Sequence, residues 1–174
     1  MQSTIDVATG CVVVAASPSR LRSTPLGSCI AVVLLDPVRA IGGMAHVMLP
    51  GRAPAGVGDG SRWRYAPDAM DQLFVLMWEW GCAPGDLHAG LIGGANVLQR
   101  PDDTICNANI RAVMQYLCRY RFRGIARDLG GCVRRSAILD IAEASLWSAR
   151  GGDPPVLLWC ARQAPVQASV GYRR

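Results

Sequence analysis

Two residues in this chain can perform covalent chemistry together. Cys29 sits in the run Leu26-Gly27-Ser28-Cys29-Ile30-Ala31-Val32-Val33, at the head of an apolar segment. His46, one of 2 histidines, sits in Gly42-Gly43-Met44-Ala45-His46-Val47-Met48-Leu49-Pro50. A thiol and an imidazole on neighbouring strands are the minimum needed to attack a carbonyl carbon through a covalent intermediate. Gly27, ahead of the cysteine, allows a sharp turn that exposes the sulfur at a strand end.

The chemistry sets further requirements. A free thiol has a pKa of about 8.5, and a neighbouring imidazolium lowers it by stabilising the sulfur anion. His46 would hold the thiolate before attack and protonate the leaving group afterwards, a step that amides need most. The tetrahedral intermediate needs N–H donors, for which the backbone of Cys29 and the Gly93-Gly94 turn are candidates. A third group should orient the imidazole: Ser23 or Thr24, just upstream, or Asp36 or Asp128. Against this stands the plainer reading, in which a strand cysteine is packing and a strand histidine is a satisfied polar group. His88, after Gly85-Asp86, reads as an exposed surface residue.

The elements that must position these groups follow from periodicity. Residues 11–16 read as a strand and 17–25, with two prolines, as a loop. Residues 29–35 form a nearly continuous apolar strand, buried on both faces. Asp36-Pro37 turns the chain, and 40–49 returns as the second strand of a hairpin, with Gly42-Gly43 as a bulge or a close backbone approach. Residues 51–64, rich in Gly, Pro and Ala, read as a long loop with no element of its own. A helix begins near 65–68, with Ala66, Met70, Leu73, Met77 and Trp80 on one face and Gly81 as its stop. Residues 87–92 read as a strand, Asn107 as the N-cap of a second helix ended by Gly124, and 125–129 as a strand. Residues 133–141 and 145–149 suggest a final hairpin, followed by a lone apolar patch at 156–159. Strands and two helices around one sheet system mean a layered α/β or α+β domain.

Composition narrows the classes. The 174 residues suit one domain, expected to span 1–174, with 151–174 as a poorly matched tail. Apolar residues at 51% against 18% charged exclude a disordered chain. No apolar run reaches the roughly 18 residues that would cross a bilayer. No secretory leader is visible, so the expectation is a cytoplasmic protein without membrane insertion. The 7 cysteines are widely spaced without a C-x-x-C pair, which speaks against a structural zinc site. The net charge of +5 comes entirely from arginine. It favours acidic partners, but no recognition helix or aromatic RNA-binding motif accompanies it, so no nucleic-acid partner is expected.

The ordered set formed by the two segments above, with Arg64-Tyr65, Ala69-Met70, Gly93-Gly94-Ala95-Asn96, Asn109-Ile110 and Asp128-Leu129-Gly130-Gly131, resembles CheD, the chemoreceptor glutamine deamidase family. The resemblance runs from the first strand to about Ala149. It implies a three-layer α/β sandwich like that of the deamidating bacterial toxins, with mixed sheets and two main helices. It implies Cys29 as nucleophile, His46 as its partner, and a hydroxyl six positions before the cysteine, which here is Ser23, with Thr24 as a substitute. It implies conversion of glutamines on methyl-accepting chemotaxis receptors to glutamate with release of ammonia, no cofactor, and a CheC-type phosphatase as a further partner. The loop at 51–64 and the arginines are then receptor contacts. The chain departs from the family pattern at Pro25 and at Cys132-Val133-Arg134-Arg135-Ser136. The altered loop from Asp128 to Ser136 and the serine at 23 keep a second reading open, a weakly catalytic or non-catalytic receptor or phosphatase adaptor on the same fold; a third reading is a thiol hydrolase of small amides or esters.

Overall fold

The apolar run that follows Cys29 becomes the central strand of a layered α/β protein. The structure, a computed structural model, describes residues 2–102 and 104–161. In chain order the strands are β1 (Thr4–Val7), β2 (Val12–Ala16), β3 (Arg20–Ser23), β4 (Ile30–Asp36), β5 (Ile41–Val47), β6 (His88–Gly93), β7 (Gly124–Leu129), β8 (Arg135–Asp140), β9 (Ser145–Arg150) and β10 (Val156–Cys160). The helices are α1 (Asp59–Arg62), α2 (Ala66–Glu79) and α3 (Ile105–Leu117).

The strands form two mixed five-stranded sheets, ordered β1-β3-β8-β9-β10 and β2-β5-β4-β6-β7. Every residue of β4 is buried because both of its faces are covered. Ile30, Val32 and Leu34 meet the helices, packing with Met70, Leu73, Val113 and Leu117. Ala31, Val33 and Leu35 meet the other sheet, packing with Leu21, Leu139 and Leu146. The period-2 alternation of a strand thus sorts one apolar run into two cores.

The expected β4–β5 hairpin is present, with an unbroken register from Ile30↔Val47 to Asp36↔Ile41. Gly42 and Gly43 are therefore a close approach rather than a bulge: a Cβ on Gly42 would lie 2.7 Å from Leu139, and one on Gly43 would lie 2.7 Å from Leu73. The first long helix and the β8–β9 hairpin also form where the sequence places them.

Several expectations need correction. Residues 17–25 are not all loop, since β3 lies inside them and pairs in parallel with β1. The loop at 51–64 contains the single helical turn α1. The second helix is capped at Thr104, not Asn107, which lies within α3; α3 ends at Leu117, and Gly124 instead opens β7. The apolar patch of the tail is β10, paired with β9. The rest of the tail, from residue 162, lies outside the described residues.

Candidate active site

The site lies at one end of the seam between the sheets. His46 is on β5 and faces Ala31 across the ladder. Cys29 immediately precedes β4, two residues before Ala31, so it is a diagonal neighbour of His46 on the same sheet face. Such diagonal pairs have Cα atoms about 7–8 Å apart, within reach of long side chains. Cys29 packs against the inter-sheet core, and His46 is fully buried.

The imidazole is held from the opposite sheet. Val7 ends β1, and its carbonyl lies 3.2 Å from His46 Nδ1. A carbonyl only accepts, so in the neutral ring the proton sits on Nδ1 and Nε2 carries the lone pair. Thr24 Oγ1 is 3.3 Å from the same Nδ1 and accepts a share of its proton. Thr9 Oγ1 is 3.3 Å from Nε2 and is placed to donate to it. Among the described residues these are the ring's three hydrogen-bond contacts, and none goes to Cys29.

Thr9 reaches the ring because the chain bulges. Gly10 N donates to His46 O at 2.9 Å, while His46 N donates to Cys11 O at 3.0 Å, so two residues oppose one. Gly10 has φ +76, the left-handed conformation this type of bulge requires. A Cβ there would also lie 2.6 Å from Arg64 Cγ.

The other orienting candidates are engaged elsewhere. Ser23 Oγ accepts from Ala137 N at 2.9 Å, fastening β3 to β8. Asp36 closes the hairpin at the far end of β4, where Arg39 Nη1 donates to it at 2.7 Å. Asp128 is enclosed by Ser148, Arg150 and Arg135. Arg135 Nε is 3.0 Å from Asp128 Oδ1 but makes no aligned hydrogen bond, so this contact is an ion pair only. His88 is half-buried rather than exposed, with its ring 5.5 Å from that of Trp159.

The backbone around Cys29 is fixed from two sides. Gly94 N donates to Cys29 O at 2.8 Å, and Ala95 N donates to Gly27 O at 2.8 Å. The N–H of Gly94 is thus spent on the cysteine's own carbonyl and does not serve as an oxyanion donor, contrary to expectation. From the helical layer, Asn109 Nδ2 donates to Ser28 O and to Met48 O, each at 2.9 Å. Among the described residues no backbone carbonyl accepts the N–H of Cys29.

Electrostatically the surroundings favour the uncharged form of both groups. Burial pushes the Cys29 thiol up, and its own backbone N–H only partly offsets this. Burial pulls His46 down, with the Val7 carbonyl working the other way. The lowering of the thiol by an imidazolium, expected from the sequence, has no counterpart here: desolvation is the largest influence on the thiol, and His46 does not contribute. A half-buried neutral thiol diagonal to a neutral imidazole whose Nε2 carries the lone pair can ionise by transferring its proton as an electrophile approaches. Among the described residues no cluster of three or more metal-binding side chains occurs.

A two-sheet α/β domain with a cysteine and a buried histidine at one sheet end defines a class of candidate thiol enzymes. Comparison with known proteins narrows it. The family model of CheD chemotactic sensory transduction matches residues 48–150. A protein of Chlorobium luteolum named probable chemoreceptor glutamine deamidase CheD is 41% identical over 148 residues, covering 84% of this chain and 73% of that protein. Proteins of the same name from Desulforamulus reducens and Methanococcus maripaludis are 36% and 32% identical, covering 81% and 86% of this chain and 87% and 96% of theirs. The chain belongs to the CheD family. No helix among the described residues is long and apolar enough to cross a membrane.

Thr9, the Val7 carbonyl and the role of Asn109 escaped the sequence reading. A hydroxyl followed by glycine just ahead of β2 was a signal for the first. A backbone acceptor leaves no side-chain signature.

Proposed function

We propose that the chain is a protein-glutamine deamidase acting on methyl-accepting chemotaxis receptors, with Cys29 as nucleophile, His46 as acid and base, and Thr24 rather than Ser23 as the orienting hydroxyl. The observation that carries this reading is the clamp of His46 Nδ1 by Val7 O and Thr24 Oγ1, which leaves Nε2 unprotonated on the face shared with Cys29. The names of the relatives supply the substrate class. The observed layers, helices over one sheet and that sheet over the second, support the sandwich architecture expected for the family.

The reaction balances without a cofactor. The Thr9 hydroxyl turns its proton away from Nε2, which takes the thiol proton as sulfur attacks the side-chain amide carbon of the glutamine. The carbonyl oxygen becomes an oxyanion facing the N–H of Cys29, for which no backbone carbonyl among the described residues competes. The imidazolium returns its proton to the amide nitrogen, the C–N bond breaks, ammonia leaves and a thioester remains. Water then loses a proton to Nε2 and attacks the thioester. The C–S bond breaks, the thiolate is reprotonated, and glutamate is released. A resident oxyanion donor and a neutral base suit this sequence. A preformed ion pair is unnecessary, because the proton moves only when the amide is in place.

The test uses a purified chemoreceptor cytoplasmic fragment. Incubation with the chain releases ammonia and converts glutamine to glutamate in the receptor peptides, read by mass spectrometry. Cys29→Ala abolishes both. Conversion that survives this substitution removes Cys29 from the mechanism; receptor binding without conversion by the unaltered chain identifies an adaptor.

A further inference from the structure

Asn109 is fully buried on α3, in the layer opposite the catalytic face. Both bonds it makes go to backbone carbonyls beside the site residues: Ser28 O, directly before the nucleophile, and Met48 O, two residues after the histidine. These bonds fix the amide's orientation, since only the nitrogen donates. Among the described residues the remaining atom, Oδ1, is buried without a partner. A buried acceptor left unpaired costs stability, so core packing alone does not account for an asparagine here.

The bond to Ser28 O has a directional consequence. In a trans peptide the carbonyl and the following N–H point in opposite directions. Holding Ser28 O toward α3 therefore turns the N–H of Cys29 away from α3. Gly94 N holds the next carbonyl, Cys29 O, on the β6 side. The two anchors together fix the peptide plane ahead of the sulfur, and they leave its N–H without a backbone partner.

We propose that Asn109 is a positioning residue for deamidation: by holding the Ser28–Cys29 peptide and the end of β5 together, it aims the Cys29 N–H at the developing oxyanion. This inference rests on the deamidase reading. It assigns Asn109 no contact with substrate. Its bond to Met48 O also keeps the ends of β4 and β5, and so the thiol and the imidazole, at one separation.

The test compares two reactions of the same sulfur. Deamidation develops an oxyanion, whereas alkylation of Cys29 by iodoacetamide does not. Asn109→Ala and Asn109→Ser, the second keeping one donor, are assayed for both, with Cys29 alkylation followed by peptide mapping and folding checked by circular dichroism. Deamidation turnover falls about 10- to 100-fold in Asn109→Ala and less in Asn109→Ser, with KM little changed. Alkylation of Cys29 changes less than about 3-fold, against that loss. Equal losses in both reactions, or full turnover in Asn109→Ala, overturn the proposal. If Asn109→Ala does not fold, Asn109→Ser decides by the same ratio. Cys29→Ala runs in parallel: turnover that persists there refutes the deamidase reading itself, an outcome separate from failure of the asparagine.

Discussion

Thr24 Oγ1 and His46 Nδ1 lie 3.3 Å apart, across the seam between the two sheets. The adjacent hydroxyl, Ser23, points to the β8 backbone instead. The two positions should therefore respond in opposite ways. Thr24→Val keeps the shape and removes the acceptor. Receptor deamidation should fall about 10-fold, the Val7 carbonyl retaining part of the orientation. Ser23→Ala should leave activity per folded molecule intact but lower stability by about 1–3 kcal/mol, because the Ala137 N–H loses its partner. Steady-state rates and urea melts of the two variants separate these effects.

Stability should fall in mild acid. His46 and His88 both have pKa values held below their ordinary 6.5, chiefly by burial. The unfolded chain takes up protons near that pH and the folded chain only at lower pH. Their contribution is therefore complete above 6.5 and is lost as pH falls through the lowered values. Urea melts at pH 7.5 and 5.5 should show the loss, and His46→Asn should shrink it.

Thiol reactivity should be late in pH. Burial raises the Cys29 pKa, so its alkylation by iodoacetamide should gain rate at a higher pH than that of a free cysteine, whose pKa is about 8.5. Peptide mapping across a pH series measures the Cys29 midpoint. A midpoint below that of a free cysteine would mean a standing thiolate–imidazolium pair.

Gly93 is fixed by contact and by conformation. Its φ is +121, and a Cβ there would lie 2.2 Å from Cys29 O. Gly93→Ala must push the cysteine's carbonyl aside. Stability should drop by about 2–3 kcal/mol, and turnover should fall even in the molecules that remain folded.

Asp128 ties three strands. Burial pushes its carboxyl up, but Arg150, Ser148 and Arg135 more than reverse this, leaving it below the ordinary 3.8. Its stabilisation is present above that value and is lost as pH falls through the lowered one. Asp128→Asn leaves Arg135 buried without its counter-charge and should cost about 3–5 kcal/mol, read by thermal or urea unfolding at pH 7.

The sequence made the central hairpin and the helix of Met70, Leu73 and Met77 legible because each has a strong period and a clear stop. It hid β1 and β3, whose four-residue segments TIDV and RLRS carry little apolar pattern and are stabilised by pairing with each other and with β8. That Cys29 and His46 lie on neighbouring strands was legible from the hairpin pattern. Which hydroxyl faces the ring was not: Ser23 and Thr24 are consecutive, and only the β3–β8 ladder shows that Ser23 is already engaged. The pairing of Asn109 with Ser28 and Met48 spans 81 and 61 residues, a separation no local pattern encodes.

The imidazole belongs to one sheet while Val7 and Thr24, which hold it upright, lie at the ends of β1 and β3 in the other. The orientation of the ring is thus a product of docking two halves of the molecule. If the layers part by even a few ångströms, Nδ1 loses both of its partners. Under the proposed mechanism a half-folded or partly melted chain is chemically silent, and turnover doubles as a gauge of whether the layers are closed.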